Sequence, residues 1–157
     1  MIPDHPRWAR RLLADDDFEA IARAIAAAEA RTSAEIRVHL ERRVLRGRWG
    51  GKPDPLRRAQ TVFRLLGMHR TAQRHGVLIY LAVEERRLAI VGDAGIHRRV
   101  GDDYWARVRD LMLEKLRAGA GRDATLAGLA EVGRVLGEHF PRRPDDTNEL
   151  SDRVSLG

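Results

Sequence analysis

His75-Gly76-Val77-Leu78-Ile79-Tyr80-Leu81-Ala82-Val83-Glu84-Glu85-Arg86-Arg87-Leu88-Ala89-Ile90-Val91 is the stretch that decides the fold. The unbroken apolar run 76–83 predicts a central strand covered on both faces. The charged residues 84–87 read as a turn, and 88–91 as a strand returning antiparallel in a hairpin. Upstream, Glu35-Ile36-Arg37-Val38-His39-Leu40-Glu41 alternates strictly and predicts a half-buried strand. Between these strands Leu56, Ala59, Phe63 and Leu66 recur at helical spacing, with Asp54 as cap, Pro55 in the first turn and Gly67 as stop. Strand–helix–strand order predicts parallel pairing and a right-handed crossover.

Working outward, Asp16 and Glu19 resemble a capping box, and Phe18, Ile21, Ile25 and Ala28 predict a helix over roughly 16–31. Trp105, Val108, Met112 and Leu116 predict a further helix, ended by Gly119 and Gly121. A last one runs from Asp123 to Pro141. The expected organisation is one α/β domain at 16–140 with an N-terminal extension at 1–15. Residues 141–157 form a polar tail, and composition leaves open whether it packs on the domain.

The 157 residues are 43% hydrophobic and 33% charged, in the range of a globular protein with a real core. The chain has no cysteine, which excludes disulfides, thiol catalysis and thiolate metal sites. No apolar leader and no bilayer-length apolar run is visible, so a soluble, cytoplasmic protein is expected. The formal net charge is +6. Lys52 and Lys115 are the only lysines, a skew that arginine-rich coding produces as readily as a polyanion partner does.

The chemistry concentrates in Gly92-Asp93-Ala94-Gly95-Ile96-His97-Arg98-Arg99-Val100-Gly101-Asp102-Asp103, read as a glycine-rich loop entering a helix. The strand order brings the start of the first two strands and the end of the third to one sheet edge. Glu35, His75, Gly76 and Asp93 belong to that edge, with Asp102 and Asp103 just beyond. Each carboxylate has an ordinary reading: Asp102 as an N-cap, Asp103 as a first-turn acid, Asp93 as a turn residue, Glu35 as a solvated strand residue. Taken together they suggest a divalent-cation site, because clustered carboxylates repel until a cation neutralises them. Calcium, with six to eight oxygens and ready use of carbonyls, fits better than magnesium. Zinc is disfavoured, since His39, His69, His75 and His97 are scattered. The basic loop 42–52, with Arg46, Arg48, Lys52 and a Trp49 able to stack on bases, is a weaker candidate for a nucleic acid or acidic partner.

Thr32-Ser33-Ala34-Glu35-Ile36-Arg37-Val38, Gly67-Met68-His69-Arg70-Thr71, His75 through Ala82, Gly92 through Ile96 and Asp103-Tyr104-Trp105 together resemble the TPM domain family. That family is named for a thylakoid lumen protein, a photosystem II repair protein and a nematode receptor modulator. The similarity spans about residues 16–157 and reaches Asn148-Glu149-Leu150-Ser151-Asp152, which resembles the end of short bacterial members. The resemblance implies a three-layer α/β/α sandwich around a small mixed β-sheet. It also implies divalent-metal binding, often calcium, carried by position to Asp93, Asp102 and Asp103 and less firmly to Glu35. The expected function is a calcium-binding, non-catalytic interaction or assembly module, a monomer with an unidentified protein partner. The alternative is a metal-dependent acid phosphatase, an activity described for thylakoid members, in which Arg70, Arg98 and Arg99 clamp phosphate. Catalytic residues are not identifiable.

Overall fold

The computed structural model describes residues 5–46, 51–70, 75–142 and 154–157. Strand β1 (Glu35–Glu41) runs parallel to β2 (Gly76–Ala82) in the register Glu35↔Gly76 to Glu41↔Ala82. Strand β3 (Arg87–Gly92) returns antiparallel along β2, from Ala82↔Arg87 to Val77↔Gly92. A short strand β4 (Ser155–Leu156), absent from the sequence-based expectation, pairs parallel to β1 at His39 and Leu40. The sheet order is β3-β2-β1-β4.

Helices cover both faces. On one lie α1 (Asp15–Glu29), α3 (Ala94–Arg117) and α4 (Gly121–His139), and on the other α2 (Pro55–Leu65). Strand alternation sorts the side chains. Ile36, Val38, Leu40, Val77, Ile79 and Leu81 pack with Ile21, Ile25, Met112 and Leu129. Leu78, Tyr80, Ala82 and Ala89 pack with Ala59, Val62, Phe63 and Met68. This is the expected three-layer α/β/α sandwich around a mixed sheet.

The elements differ from the sequence-based reading at three further places. Helix α1 starts at Asp15, and its first-turn cap is Asp17, whose Oδ2 accepts the Ala14 amide at 2.8 Å. Residues 92–103 are not an open loop. Helix α3 begins at Ala94, because Ile96 is fully buried in the core and overrides the turn-like composition. The helix is broken at Gly101, whose φ of 77° only glycine adopts readily. The N-terminal segment also joins the core: a 3-10 turn at Ala9–Arg11 leads in, and Ala9 and Leu13 are fully buried.

Candidate functional site

The Glu35 amide donates to the His75 carbonyl at 2.9 Å, and the Asp93 amide to the Gly76 carbonyl at 2.8 Å. These bonds fix Glu35, Gly76 and Asp93 at one end of the sheet, as the strand order requires. Asp93 is the N-cap of α3. Its Oδ1 accepts the Ala94 amide at 2.8 Å, and its carbonyl accepts the Ile96 and His97 amides at 2.9 Å. Its Oδ2 is buried and takes no hydrogen bond from any described residue. Beside it the Trp105 ring lies against Gly92. The ring atom Cε2 would sit 3.1 Å from a β-carbon there, and the attached Nε1 is also buried without a described partner.

The other three acids stand apart from this point. Glu35 is buried on β1. Over the intervening Gly76 the Phe63 ring and Met68 fill the place of a β-carbon, with Phe63 Cζ at 3.3 Å and Met68 Cε at 3.5 Å. Asp102 is exposed beyond the helix break, with His97 Nε2 3.3 Å from its Oδ1, and Asp103 is exposed next to it. Among the described residues no three His, Asp or Glu side chains gather as a metal-holding group. Asp93 is the member best disposed to accept a hard cation. A buried carboxylate oxygen without a donor is costly, and a hard cation, if bound there, would satisfy it while taking further oxygens from carbonyls and water.

Beside this edge a cavity of about 620 Å³ opens between the start of α3 and the end of α4. Ser33, His75, Arg98, Arg99 and Arg142 line it, and no carboxylate of a described residue does. Phe140 organises the wall: its ring stands 4.3 Å from the His75 ring and 5.9 Å from the Arg99 guanidinium carbon. Arg142 Nη1 donates to the Glu29 carbonyl at 3.0 Å. The phosphatase alternative groups Arg70 with Arg98 and Arg99, but Arg70 lies on the 3-10 turn Met68–Arg70 and does not line this cavity. Ser33 and Arg142 were missed. They meet only because Thr32 bridges to Pro141 and its hydroxyl donates to the Phe140 carbonyl at 2.5 Å, a contact with no local sequence signal.

A second polar cluster lies at the opposite end of the sheet. Glu41 Oε1 accepts from Arg58 Nε at 2.8 Å and from the Tyr80 hydroxyl at 2.7 Å, and Arg58 Nη2 donates to its Oε2 at 2.6 Å. His39 Nε2 is 3.4 Å from the same Oε2, and His39 Nδ1 is 2.9 Å from Ser155 Oγ. Burial alone would raise the Glu41 pKa, but Arg58, His39 and Tyr80 outweigh it and hold it down at about 2. Burial and the bond to Glu41 push the Tyr80 hydroxyl well up. Glu41, Arg58 and Tyr80 satisfy one another, while His39 Nε2 is buried beside Glu41 without a hydrogen bond from a described residue; the ion-paired core of the cluster reads as a structural clamp.

Of the basic loop, residues 47–50, with Arg48 and Trp49, lie outside the described residues, as do Thr71 and the segment Asn148–Asp152. Arg46 and Lys52 are exposed. No helix among the described residues is long and apolar enough to cross a membrane.

Comparison with known proteins bears on this geometry. The family model for the TPM domain matches residues 9–135. The solution structure of the BA42 protein from the psychrophilic bacterium Bizionia argentinensis is similar, with a TM-score of 0.80 and 37% sequence identity over 92% of this chain and 95% of that one. The N-terminal domain of a protein from P. gingivalis shares the fold at a TM-score of 0.64 and 20% identity, over 84% of this chain and 82% of that one. Among curated proteins none matches. The family match covers most of the chain, from the 3-10 turn at Ala9 into the last turns of α4, and the chain belongs to the TPM domain family.

Proposed function

We propose that this domain is a non-catalytic interaction module that binds a divalent cation, calcium before magnesium, at the acidic edge of its sheet. Asp93 would be the anchoring ligand; Asp102, Asp103 and Glu35 stand apart from it and would take part through bridging water or a local shift. The supporting observation is the buried Asp93 Oδ2 that accepts no hydrogen bond from a described residue. When bound, the ion would supply charge neutralisation and hold the Asp93 cap against the helix break at Gly101. The test is a calcium titration of the full chain followed residue by residue by NMR. Shifts are expected at 35, 92–103 and their neighbours, and Asp93→Asn should weaken them strongly. Shifts elsewhere, or none at millimolar calcium, would overturn the reading.

A second reading, metal-dependent phosphomonoester hydrolysis, is favoured by one observation: the cavity beside Asp93 gathers Arg98, Arg99 and Arg142 with no described carboxylate on its wall. Guanidinium groups of that kind clamp phosphate oxygens in fork geometry. Hydrolysis of a generic aryl phosphate, lost in both Arg98→Ala and Asp93→Asn, would favour it over the first reading. Activity untouched by either substitution belongs to another protein in the preparation.

A further inference from the structure

The two edges of the sheet are treated differently. At the β1 edge the Ile36 amide donates to Glu29 Oε2 at 2.9 Å, and the Leu40 carbonyl accepts the Gly157 amide at 2.9 Å beside β4. At the β3 edge no described residue pairs. The register says which groups are left there. Val77 and Gly92 are opposite, while the Asp93 amide bonds the Gly76 carbonyl, so Val77 and Gly92 form a non-hydrogen-bonded pair. It follows that Val91, Ala89 and Arg87 turn their N–H and C=O groups to β2. Leu88, Ile90 and Gly92 turn theirs outward.

Those outward groups form the floor of a trough of about 630 Å³. Pro55, Leu56 and Gln60 of α2 stand on one side, and Trp105, Ala106 and Arg109 of α3 on the other. Leu56 is 48% exposed, large for a leucine on a packed helix. Long unpaired edges are usually blunted by charge, proline or cover. Here the strand's own positions 88–92 carry no charge and no proline.

We propose that this trough is a strand-acceptor site: an extended peptide adds to β3, its backbone pairing with Leu88, Ile90 and Gly92. The occupant is a short segment of alternating apolar side chains with a basic residue at each end. Charge sets those ends, because α2 runs antiparallel to the strands it connects. Asp54, 4.0 Å from Arg57, therefore stands at the Leu88 end of the trough, and Asp102, 3.3 Å from His97 and just beyond the helix break, at the Gly92 end. The arginine of the wall, Arg109, is engaged by Asp110 at 3.3 Å. Four strand steps separate the ends, about 13 Å, the reach of a five-residue extended segment. A second copy does not fit. Pairing two β3 edges brings the helices seated over them to about one strand spacing, ~4.8 Å, from their symmetry mates, where packed helices need about 8–10 Å. The proposal deepens the interaction half of the function proposed above and is independent of the cation half.

The test titrates the full chain, in EDTA so that the cation question stays separate, with the capped peptide Lys-Val-Thr-Val-Thr-Val-Lys. Saturable binding below about 1 mM is expected, in the range of weak peptide recognition. Amide exchange at Leu88, Ile90 and Gly92 should slow by about tenfold or more on binding, while Ala89 and Val91 stay as they were. A peptide N-methylated at alternate amides, or flanked by glutamates, should bind at least about tenfold more weakly, as should the lysine-flanked peptide to Leu56→Arg or Gln60→Trp. Leu56 and Gln60 are exposed, so both variants keep the core. Absence of saturation, or binding indifferent to N-methylation and to both variants, overturns the site. Equal binding of the glutamate-flanked peptide overturns the assigned occupant. Protection of the same three amides without peptide, in a species of dimer mass, gives the edge to a second copy and overturns it as well.

Discussion

Glu41 shows at single-residue scale how this fold uses charge. Its folded pKa of about 2 lies below the ordinary 4.5, so it contributes stability that is fully present above pH 4.5 and is lost as the pH falls through 2. The shift corresponds to about 3 kcal/mol as an order of magnitude. Glu41→Gln is expected to cost about 2–4 kcal/mol at neutral pH, since it strips Arg58 of its partly buried partner. The gap between wild type and variant should close in urea melts run from pH 5 down to pH 2, and a constant gap would count against the clamp. Gly92 is the second residue whose identity the packing dictates. A β-carbon there runs into Trp105 Cζ2, an aromatic atom of a ring itself packed in the core. Gly92→Ala is expected to lower stability by about 1–3 kcal/mol in a denaturant titration. Neither role was legible in the sequence. Glu41 looked like one polar position of an alternating strand; its partner Arg58 lies 17 positions away, and Ser155, which bonds the neighbouring His39, lies 116 positions from that residue.

At the scale of elements, legibility followed the range of the forces involved. The β1–α2–β2 crossover and the β2–β3 hairpin were readable because unbroken runs, alternation and a charged turn are local signals. That reading also brought Glu35, Gly76 and Asp93 to one edge. Helix α3 was misread between 94 and 101, because glycine and aspartate there mimic a loop, and only burial of Ile96 reveals the helix. Strand β4 was invisible, since two residues carry no periodicity and the pairing is decided by the open edge of β1. Removing residues 154–157 uncovers that edge, together with His39 and Glu41. A loss of about 1–3 kcal/mol is expected by thermal melt, from the lost ladder bonds and the exposed polar cluster. Unchanged stability would mean that β4 rests on the edge without energetic weight. The unbound β3 edge gives its own element-scale expectation. Amide exchange along the strand should alternate, fast at Leu88 and Ile90 and slow at Ala89 and Val91. Uniform protection would contradict the register.

The whole molecule is organised by one sheet shared between two apolar layers. The layer under α1, α3 and α4 and the layer under α2 have separate side-chain sets but the same strands between them. Neither can come apart without exposing the other's floor. Near-ultraviolet and far-ultraviolet circular dichroism are therefore expected to report one coincident thermal transition. Two separated transitions would show that the α2 layer melts alone. The sandwich class and the family were legible at this scale from the order of the motifs. The basic cavity was only half legible, because Ser33 and Arg142 reach it from chain segments more than a hundred positions apart, joined by a bridge no composition announces.

The pairing of β4 with β1 also sets a clock on synthesis. His39 meets Ser155 across 116 positions. At about 5–20 residues per second a ribosome needs roughly 6–23 s to make that interval. For all of it β1 is already made, with the Glu29 carboxylate guarding the Ile36 end of its outer edge. Neighbouring nascent chains on one message pass the same stage together, each with the same open strand. Crowded translation is therefore the moment at which this protein is most exposed to mispairing, and slowing elongation between positions 41 and 155 should raise its aggregation in the cell.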